Sequence, residues 1–327
     1  MFAKDHFDVD TSLYTIAWIA TGIAEFDAAC LMLDKDHGQY APRQRFCIGS
    51  WYVLGEACGQ KVALIMAMAQ DDFVRQLACL SLDLDVHFPN LRSSIVVSVG
   101  SGIPSEMHDV RLGDVVVSTP QRQYGGVVNV DGDFSRHPND LLEPVAPATL
   151  GVARLLERDI RTGLGPRGML RHLAHMKASN ANTKPNPETE YAYPGVEKDR
   201  LYPADYECQR PGRYAVCTAG PDDTSKAITR PARTNTEPKI HFGTVAACRG
   251  AVEYAMEREL IREYTGALAA QAGAEYLMTI RPLVVVGVAD YGDSHADSHE
   301  GGKWKKYAAV NAAACAKDLT GRLPAAQ

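Results

Sequence analysis

Residues 283–295, LVVVGVADYGDSH, constrain the fold of this chain most strongly. The segment begins with a continuous apolar, β-branched run, which is typical of a strand covered on both faces in the parallel sheet of an α/β protein. Such sheets bind their ligands beyond the carboxyl ends of the strands. The strand therefore brings the carboxylate of Asp290 to an edge where chemistry is expected. An Asp there also suits the cap of the helix that we predict over about 303–319.

Length, composition and charge limit the class of protein. The 327 residues are 46% hydrophobic, which is enough to bury a large core in an α/β domain. The formal net charge of -6 argues against a nucleic-acid partner, because phosphate backbones are bound by clustered Lys and Arg. No window approaches roughly 18 uninterrupted apolar residues, and the N-terminus is too charged for a signal peptide. We therefore expect a soluble cytoplasmic protein with no membrane partner.

Cysteine and histidine usage gives no metal or disulfide signature. The eight cysteines are scattered without a Cys-x-x-Cys pair, and several lie in apolar runs, so we expect reduced, mostly buried thiols. His295 and His299 would share one face of a helix, a spacing that metal sites use. The glycines on both sides of this segment favour a loop, and we therefore predict no metal site.

Two other segments have the pattern of buried strands that lead into a turn. Residues 14–20 are followed by Thr21-Gly22 and a helix that begins near Glu25. That turn could present N–H groups to an anion, or it could be an ordinary tight turn. Residues 94–99 run into Gly100-Ser101-Gly102, where glycines let a ligand approach the backbone closely.

The remaining segments are predicted from their periodicity. We expect a pair of hairpin strands around 46–53 and 61–68, and helices over about 73–86, 150–173 and 253–261. Residues 177–238 lack periodicity and are rich in Pro, Asn, Thr and Arg, which predicts an irregular insertion within a single domain spanning 1–327. Such an insertion beside the strand ends is a candidate lid or specificity element, or a surface or interface loop.

Several of these segments together resemble the purine nucleoside phosphorylase and methylthioadenosine nucleosidase superfamily, in particular the nucleoside-phosphorylase-like domains of filamentous fungi. The sequence VSVGSGIPSEMHDVRLGDVVVS at 97–118 is similar, without gaps, to that group's VGIGGGxPSxxHDxRLGDVVVS. DYGDSH at 290–295 resembles DYADSH, and IHFGTVA at 240–246 resembles IHYGTIAS. The segments at 18–29 and 193–206 are similar to its WICAxxxEYxAA and YPGxxxDxLFxADY. The resemblance spans nearly the whole chain.

The resemblance implies a single α/β domain whose central mixed sheet partly closes into a barrel, with helices around it. It implies an enzyme that cleaves the N-glycosidic bond of a purine nucleoside with phosphate or water, without a metal or organic cofactor. Asp290 would then be the general acid for the leaving base. Glu25 would lie near the attacking water, as the corresponding carboxylate does in hydrolytic relatives. A small-molecule substrate, possibly with inorganic phosphate, and a homo-oligomer are implied as well.

Two departures from the family pattern bear on that chemistry. Relatives hold the ribose hydroxyls with a Met-Glu pair, whose positions here carry Ala272 and Gly273. Glu275 could replace that Glu only if the register of the expected helix slipped by two residues. The glycine-rich segment has Ser101 where Gly is expected, and Arg75 is the candidate source of charge for an anion. The candidate substrate-binding residues are Gly22, Arg75, Gly100, Ser101, Gly102, Ala272 and Gly273.

Three functions remain open at this point. The first is a nucleosidase or phosphorylase of altered specificity with Asp290 as its acid. The second is a repurposed family member that acts on a non-nucleoside metabolite as an isomerase, cyclase or lyase in specialised metabolism. The third is a ligand-binding pseudoenzyme, which a ligand would stabilise without turnover.

Overall fold

A computed structural model describes nine stretches of the chain: residues 9–41, 50–66, 73–121, 125–130, 145–180, 186–206, 223–273, 280–293 and 302–325. Within 73–78 only the backbone is described. In these stretches one mixed sheet of eleven strands forms the centre of a single α/β domain, with helices on its faces.

The secondary structure alternates between strands and helices along the chain. The strands are β1 (Ile16–Ala20), β2 (Lys35–Tyr40), β3 (Trp51–Ala57), β4 (Gln60–Met66), β5 (Ser93–Gly102), β6 (Val115–Ser118), β7 (Val127–Val130), β8 (Ile240–Gly243), β9 (Val245–Cys248), β10 (Ala269–Ala272) and β11 (Leu283–Asp290). The helices are α1 (Ile23–Leu31), α2 (Phe73–His87), α3 (Pro147–Arg161), α4 (Arg167–Ser179), α5 (Pro187–Glu190), α6 (Ala255–Thr265) and α7 (Lys303–Arg322).

The sheet divides at β5. Along most of its length β5 pairs in parallel with β1 on one side and with β11 on the other, while its end pairs antiparallel with β10. From β11 the pairing continues through β6 to β8, and from β10 it continues to β9. Thr244 alone separates β8 from β9. The two branches therefore meet in one continuous segment, and this part of the sheet closes into a barrel, as the sequence predicts.

The helix α7 packs against β11 because both carry small residues where their backbones meet. A Cβ atom at Gly287 would collide with the backbone carbonyl oxygen of Ala308. The Ala-rich face of α7 is buried together with Val285 in the main hydrophobic core. Each buried methylene contributes about 0.8 kcal/mol, so this close approach is a large part of what holds α7 on the sheet. A Gly287→Ala substitution would force the helix away from the strand.

Most predicted elements are present, with shifted boundaries. β1, α1, the β3–β4 hairpin, α2, β5, α6 and β11 all lie where periodicity places them. The strand β2 is missing from the prediction, because its sequence KDHGQY is polar and mostly exposed. The single helix expected over 150–173 is two helices, since Gly163 and Gly165 adopt positive φ angles of 86° and 65° and Pro166 precedes α4.

Two segments at the strand ends differ from the prediction in a way that matters for function. The glycine segment 100–102, expected to be a loop after the strand, is the end of β5 itself. Residues 269–272, expected to be helical, form the strand β10, although Ala favours helices. Pairing with β5 and β9 overrides that preference, as tertiary context often does.

The predicted insertion contains little regular structure where it is described. Its elements are the end of α4, the four-residue α5 and short 3₁₀ turns at Val196–Lys198 and Asp223–Lys226. Residues 181–185 and 207–222 lie outside the described part of the chain. Across the described residues, no helix is both long and apolar enough to span a membrane.

Candidate active site

The parallel strands β1, β5 and β11 end at the same edge of the sheet, and a cavity of about 350 Å³ lies there. Its lining comes from the ends of β5, β10 and β11, from the loop after β9, and from the start of α7. The lining residues are Val99, Gly100, Ser101, Gly250, Ala251, Val252, Glu253, Ala270, Gln271, Ala272, Ala289, Asp290, Gly302 and Lys305. A cavity of this size at strand ends is the usual location of a small-molecule site.

Asp290 is the last residue of β11 and lines this cavity. One carboxylate oxygen, Oδ1, accepts a hydrogen bond of 2.7 Å from the backbone N–H of Gly292. That turn requires glycine, because Gly292 has a φ of 57° and a Cβ there would lie 2.9 Å from Val252. Asp290 does not cap α7, whose N-cap residue is Gly302. The short Asx turn fixes the direction in which the carboxylate points.

Glu25 lies in the first turn of α1 and is only 3% exposed. Its Oε1 accepts a hydrogen bond of 3.5 Å from the Thr21 hydroxyl, and its Oε2 has no hydrogen-bond partner within the described residues. Burial raises the pKa of the Glu25 carboxyl, against the opposing effects of the Lys305 ammonium, nearby backbone N–H groups and Thr21. Glu25 does not line the cavity, but Lys305 and Val99, which affect its pKa, both do.

The glycines of β5 are required by close backbone packing. A Cβ atom at Gly100 would collide with the carbonyl oxygen of Ala270, and one at Gly102 would lie 2.6 Å from Val288. Gly100 and Ser101 line the cavity, whereas Gly102 is packed inside the sheet and is absent from the lining. The turn at Gly22, considered above as an anion site, faces the Glu25 carboxylate: a Cβ at Gly22 would lie 2.8 Å from Glu25 Oε2.

The strand β10 gives the cavity a wall of small side chains. Ala270 and Ala272 line it, and Gly273 follows directly, with a φ of 89°. Between them Gln271 is buried; its Nε2 donates to the Ala272 carbonyl, while its Oε1 has no hydrogen-bond partner in the described stretches. Three of the lining residues, Gln271, Glu253 and Lys305, were not predicted from the sequence to be functional. Lys305 had a usable signal, since the start of a helix that follows a strand end lies at this edge.

Several predicted residues cannot be placed at the cavity. Arg75 lies in α2, but its side chain is outside the described part of the structure, as are Glu275, Ser294, His295 and His299. Cys47, Cys208 and Cys217 are outside it as well, whereas Cys30, Cys58, Cys79, Cys248 and Cys315 are free thiols. No three His, Cys, Asp or Glu side chains of the described stretches are grouped as a metal ion would require.

A second buried carboxylate, Asp114, lies at the start of β6 in a fully paired environment. It accepts hydrogen bonds from Arg233 at 2.7 Å and His241 at 2.8 Å, and from the backbone N–H groups of Arg111 and Lys239, each at 2.9 Å. Burial alone would raise the pKa of Asp114, but Arg233 and His241 hold it below its usual value. This cluster joins the described part of the insertion to the barrel.

Solved structures with a similar fold include two kinds of nucleosidase. The 5′-methylthioadenosine/S-adenosylhomocysteine nucleosidase of Neisseria meningitidis, crystallised with methylthio-immucillin-A, aligns over 95% of this chain and 100% of its own, with a TM-score of 0.56 and 13% identity. The futalosine hydrolase of Helicobacter pylori aligns over 95% of this chain and 99% of its own, with a TM-score of 0.57 and 10% identity. The corresponding Streptococcus pneumoniae nucleosidase, bound to a transition-state inhibitor, has a TM-score of 0.55 and 12% identity over 93% of this chain and 97% of its own.

Among curated proteins, a nucleotide-binding leucine-rich repeat (NLR)-like protein of Hyaloscypha variabilis is 30% identical over 313 residues. The match covers 94% of this chain but 29% of that relative, so the chain spans less than a third of its length. No protein-family model matches the chain. The structural comparisons confirm the α/β fold that the sequence resemblance implied, and this fold is the one shared by the methylthioadenosine nucleosidases and futalosine hydrolase.

Proposed function

We propose that this chain hydrolyses the N-glycosidic bond of a purine nucleoside-type substrate, with Asp290 as general acid and Glu25 as general base. The observation that carries the proposal is that Asp290 lines the cavity, and that the buried carboxylate of Glu25 interacts with two other lining residues, Val99 and Lys305. Similarity in fold to nucleosidases supports the same reaction class.

Each carboxylate has a separate part in the reaction. Glu25 takes a proton from water as the water oxygen attacks the anomeric carbon of the sugar. The bond between that carbon and the base nitrogen breaks, its electron pair passes to the purine, and Asp290 gives the purine a proton. The products are the free base and the sugar. General acid or base groups of this kind are each worth about 100- to 10,000-fold in rate.

Water is a better nucleophile for this site than phosphate. The turn at Gly22, where backbone N–H groups would otherwise face an anion, is in contact with the Glu25 carboxylate. A phosphate there would be repelled by the ionised carboxylate, and the Lys305 ammonium already interacts with that carboxylate. Because a general base must be ionised and burial raises the pKa of the Glu25 carboxyl, hydrolysis is expected to increase as the pH rises through that pKa.

A product assay by liquid chromatography and mass spectrometry tests the proposal. Purified protein is offered adenosine, inosine, guanosine and methylthioadenosine, with and without phosphate. We expect free base and free sugar in equal amounts, at a rate independent of phosphate, and at least about a 100-fold loss of rate in Asp290→Asn. A sugar phosphate that forms only with added phosphate would show phosphorolysis, and absence of free base from every substrate would contradict glycosidic cleavage.

A second candidate function is binding of a purine nucleoside-type ligand without turnover, as one domain of a longer NLR-like protein. It is favoured by the relative from Hyaloscypha variabilis, of which this chain matches 29%. It is also favoured by the sequence resemblance, in which Ala272 and Gly273 align with the Met-Glu ribose pair of the family pattern. Thermal unfolding with the same four nucleosides separates the two functions, since a pure binder is stabilised by its ligand and releases no base.

A further inference from the structure

Tyr291, the residue directly after Asp290, is held by its side chain from the insertion. The ring is fully buried, and its hydroxyl donates a hydrogen bond of 2.5 Å to Asp199. The same hydroxyl accepts hydrogen bonds from Arg230 at 2.7 Å and from the backbone N–H of Leu112 at 3.2 Å. Asp199 and Arg230 also form an ion pair of 2.8 Å with each other. All hydrogen-bonding capacity of the phenol is thereby used.

The backbone of Tyr291 is held independently by Arg258 of α6. Arg258 is almost completely buried, and its Nη1 donates a hydrogen bond of 3.1 Å to the carbonyl oxygen of Tyr291. Its Nη2 donates one of 3.1 Å to the carbonyl oxygen of Tyr202 in the insertion. The guanidinium therefore joins the end of β11 to the same segment that provides Asp199 and Arg230.

The peptide unit between Tyr291 and Gly292 connects these contacts to Asp290. The N–H of Gly292, which follows Tyr291, donates the 2.7 Å hydrogen bond to Asp290 Oδ1. Gly292 packs closely in this turn, since a Cβ there would lie 2.9 Å from Val252 and 3.2 Å from Ser101. A displacement of Tyr291 would therefore move the N–H group that sets the direction of the Asp290 carboxylate.

We propose that Asp199, Arg230 and Arg258 form a clasp on Tyr291 and act as positioning residues for Asp290. In this arrangement the insertion holds Asp290 in position through Tyr291. Its described part does not line the cavity and is therefore not a lid over the substrate. The proposal rests on the proposed function in one respect, the role of Asp290 as the acid.

The residue types in the clasp are better suited to positioning Asp290 than to stabilising the fold. A buried ion pair has a high desolvation cost, and apolar residues of similar volume are often at least as stabilising. Directional, charge-assisted hydrogen bonds instead fix an angle and a distance. A general acid benefits from both, because a misplacement of about 1 Å can reduce the rate by about 100-fold.

The variant Tyr291→Phe tests the clasp, because it removes only the hydroxyl and leaves Asp199 and Arg230 paired with each other. We expect kcat to fall by about 10- to 100-fold with KM nearly unchanged, and the pH–rate profile to change on the limb that reports Asp290. Tyr307→Phe is the matched control: Tyr307 is a buried tyrosine of α7 that packs on Tyr193 and does not contact the clasp. It should keep the kcat and the pH profile of the wild type.

Hydrogen–deuterium exchange of residues 283–293 gives a readout that needs no turnover. We expect the Gly292 amide to exchange at least about 10-fold faster in Tyr291→Phe than in wild type or Tyr307→Phe, because the peptide unit that carries this amide is no longer held in place. If the wild type cleaves no nucleoside but the exchange result holds, hydrolysis is wrong and the clasp remains. If kcat, pH profile and exchange are all unchanged in Tyr291→Phe, or if Tyr307→Phe has the same effects, the clasp is wrong.

A pair of substitutions at Arg230 gives a second, independent measurement. Arg230→Lys keeps one cationic donor for Asp199 and the Tyr291 hydroxyl, whereas Arg230→Met keeps only the packing. The lysine variant should recover part of the kcat and of the amide protection that the methionine variant loses. Equal loss in both, together with equal loss of thermal stability, would indicate a structural role alone and would overturn the proposal.

Discussion

Glu25 and Asp114 are both buried carboxylates, and their surroundings have opposite effects. Glu25 is 3% exposed and has one weak side-chain hydrogen bond, from Thr21, and the raised pKa of its carboxyl follows from burial. Asp114 is 1% exposed and accepts hydrogen bonds from Arg233 and His241, which lower its pKa. Equal burial therefore leads to different chemistry, because the number of partners decides which protonation state is favoured.

This contrast separates a structural carboxylate from one suited to proton transfer. The hydrogen-bonding capacity of Asp114 is used inside the protein, so the group stays ionised and joins β6 to the segment around Arg233. The Oε2 atom of Glu25 has no hydrogen-bond partner among the described residues, and the carboxylate interacts with Lys305, which lines the cavity. An ionisable group that is buried without full pairing, at a cavity, is a candidate for catalysis.

The largest expected effect is on stability, at Asp114. Asp114→Asn removes the charge that Arg233 and His241 face, and we expect the free energy of unfolding to fall by about 3–5 kcal/mol at pH 7. Since the pKa of Asp114 is lowered in the folded state, its contribution should be lost as the pH falls below about 4. Urea unfolding of wild type and variant at several pH values measures both effects.

The control for Asp114→Asn is an ion pair at the surface. Glu157 forms a 2.8 Å ion pair with Arg154, and both side chains are partly exposed. Glu157→Gln should change the unfolding free energy by less than about 1 kcal/mol. A comparable loss in the two variants would mean that burial and pairing of Asp114 have no special importance.

A smaller effect of opposite sign is expected at Glu25. The pKa of Glu25 is raised in the folded state, so its contribution to stability is present below its unfolded pKa and is lost as the pH rises through the folded pKa. Glu25→Gln has no such loss, and we expect it to be more stable than wild type by about 1 kcal/mol at pH 8 and about equal near pH 4.

Thermal unfolding across this pH range measures the effect of Glu25→Gln on stability, and the nucleoside assay measures its effect on activity. The glutamine variant should be more stable at pH 8 and about 100-fold or more slower in hydrolysis. A variant that is less stable at every pH would mean that the Glu25 carboxylate is well paired in the folded protein, which would remove its contrast with Asp114.

The smallest effect is expected at Lys305, whose ammonium group favours the ionised form of Glu25. Lys305→Met should raise the pKa of Glu25 further and move the acid limb of the pH–rate profile to slightly higher pH at low salt. Because Lys305 is exposed, the difference between wild type and variant should shrink as salt screens the interaction. A shift that persists unchanged at high salt would show that Lys305 does not act on Glu25 through its charge.

The buried strands and their positions could be predicted from sequence, because an apolar β-branched run such as β11 leaves few alternatives. The placement of Asp290 at a strand end followed from the same pattern. The strand β10 could not be predicted in this way, since Ala-Ala-Gln-Ala carries no β preference and is extended only because β5 and β9 pair with it. Local sequence does not contain that information.

The contacts that form the clasp on Tyr291 could not be predicted from sequence patterns, for a different reason. Asp199, Arg230 and Tyr291 are separated by 31 to 92 positions in sequence and meet only in the folded chain. The part of the insertion that provides two of them has no periodicity from which its path could be inferred. Gln271 was missed because its segment was expected to be helical, and Lys305 because the start of α7 was predicted only as a helix boundary.

The strand β2 at the end of the sheet has a consequence for how copies of this protein meet in solution. It carries Lys35, Asp36 and His37, and its pairing with β3 shifts register between Asp36 and Gly38. Asp36 accepts a hydrogen bond of 2.7 Å from the Gly38 N–H, so this backbone donor is already occupied. A charged and bulged edge resists addition of a strand from another molecule. β2 was not predicted because its sequence is polar, and the same polar residues protect the sheet against edge-to-edge aggregation.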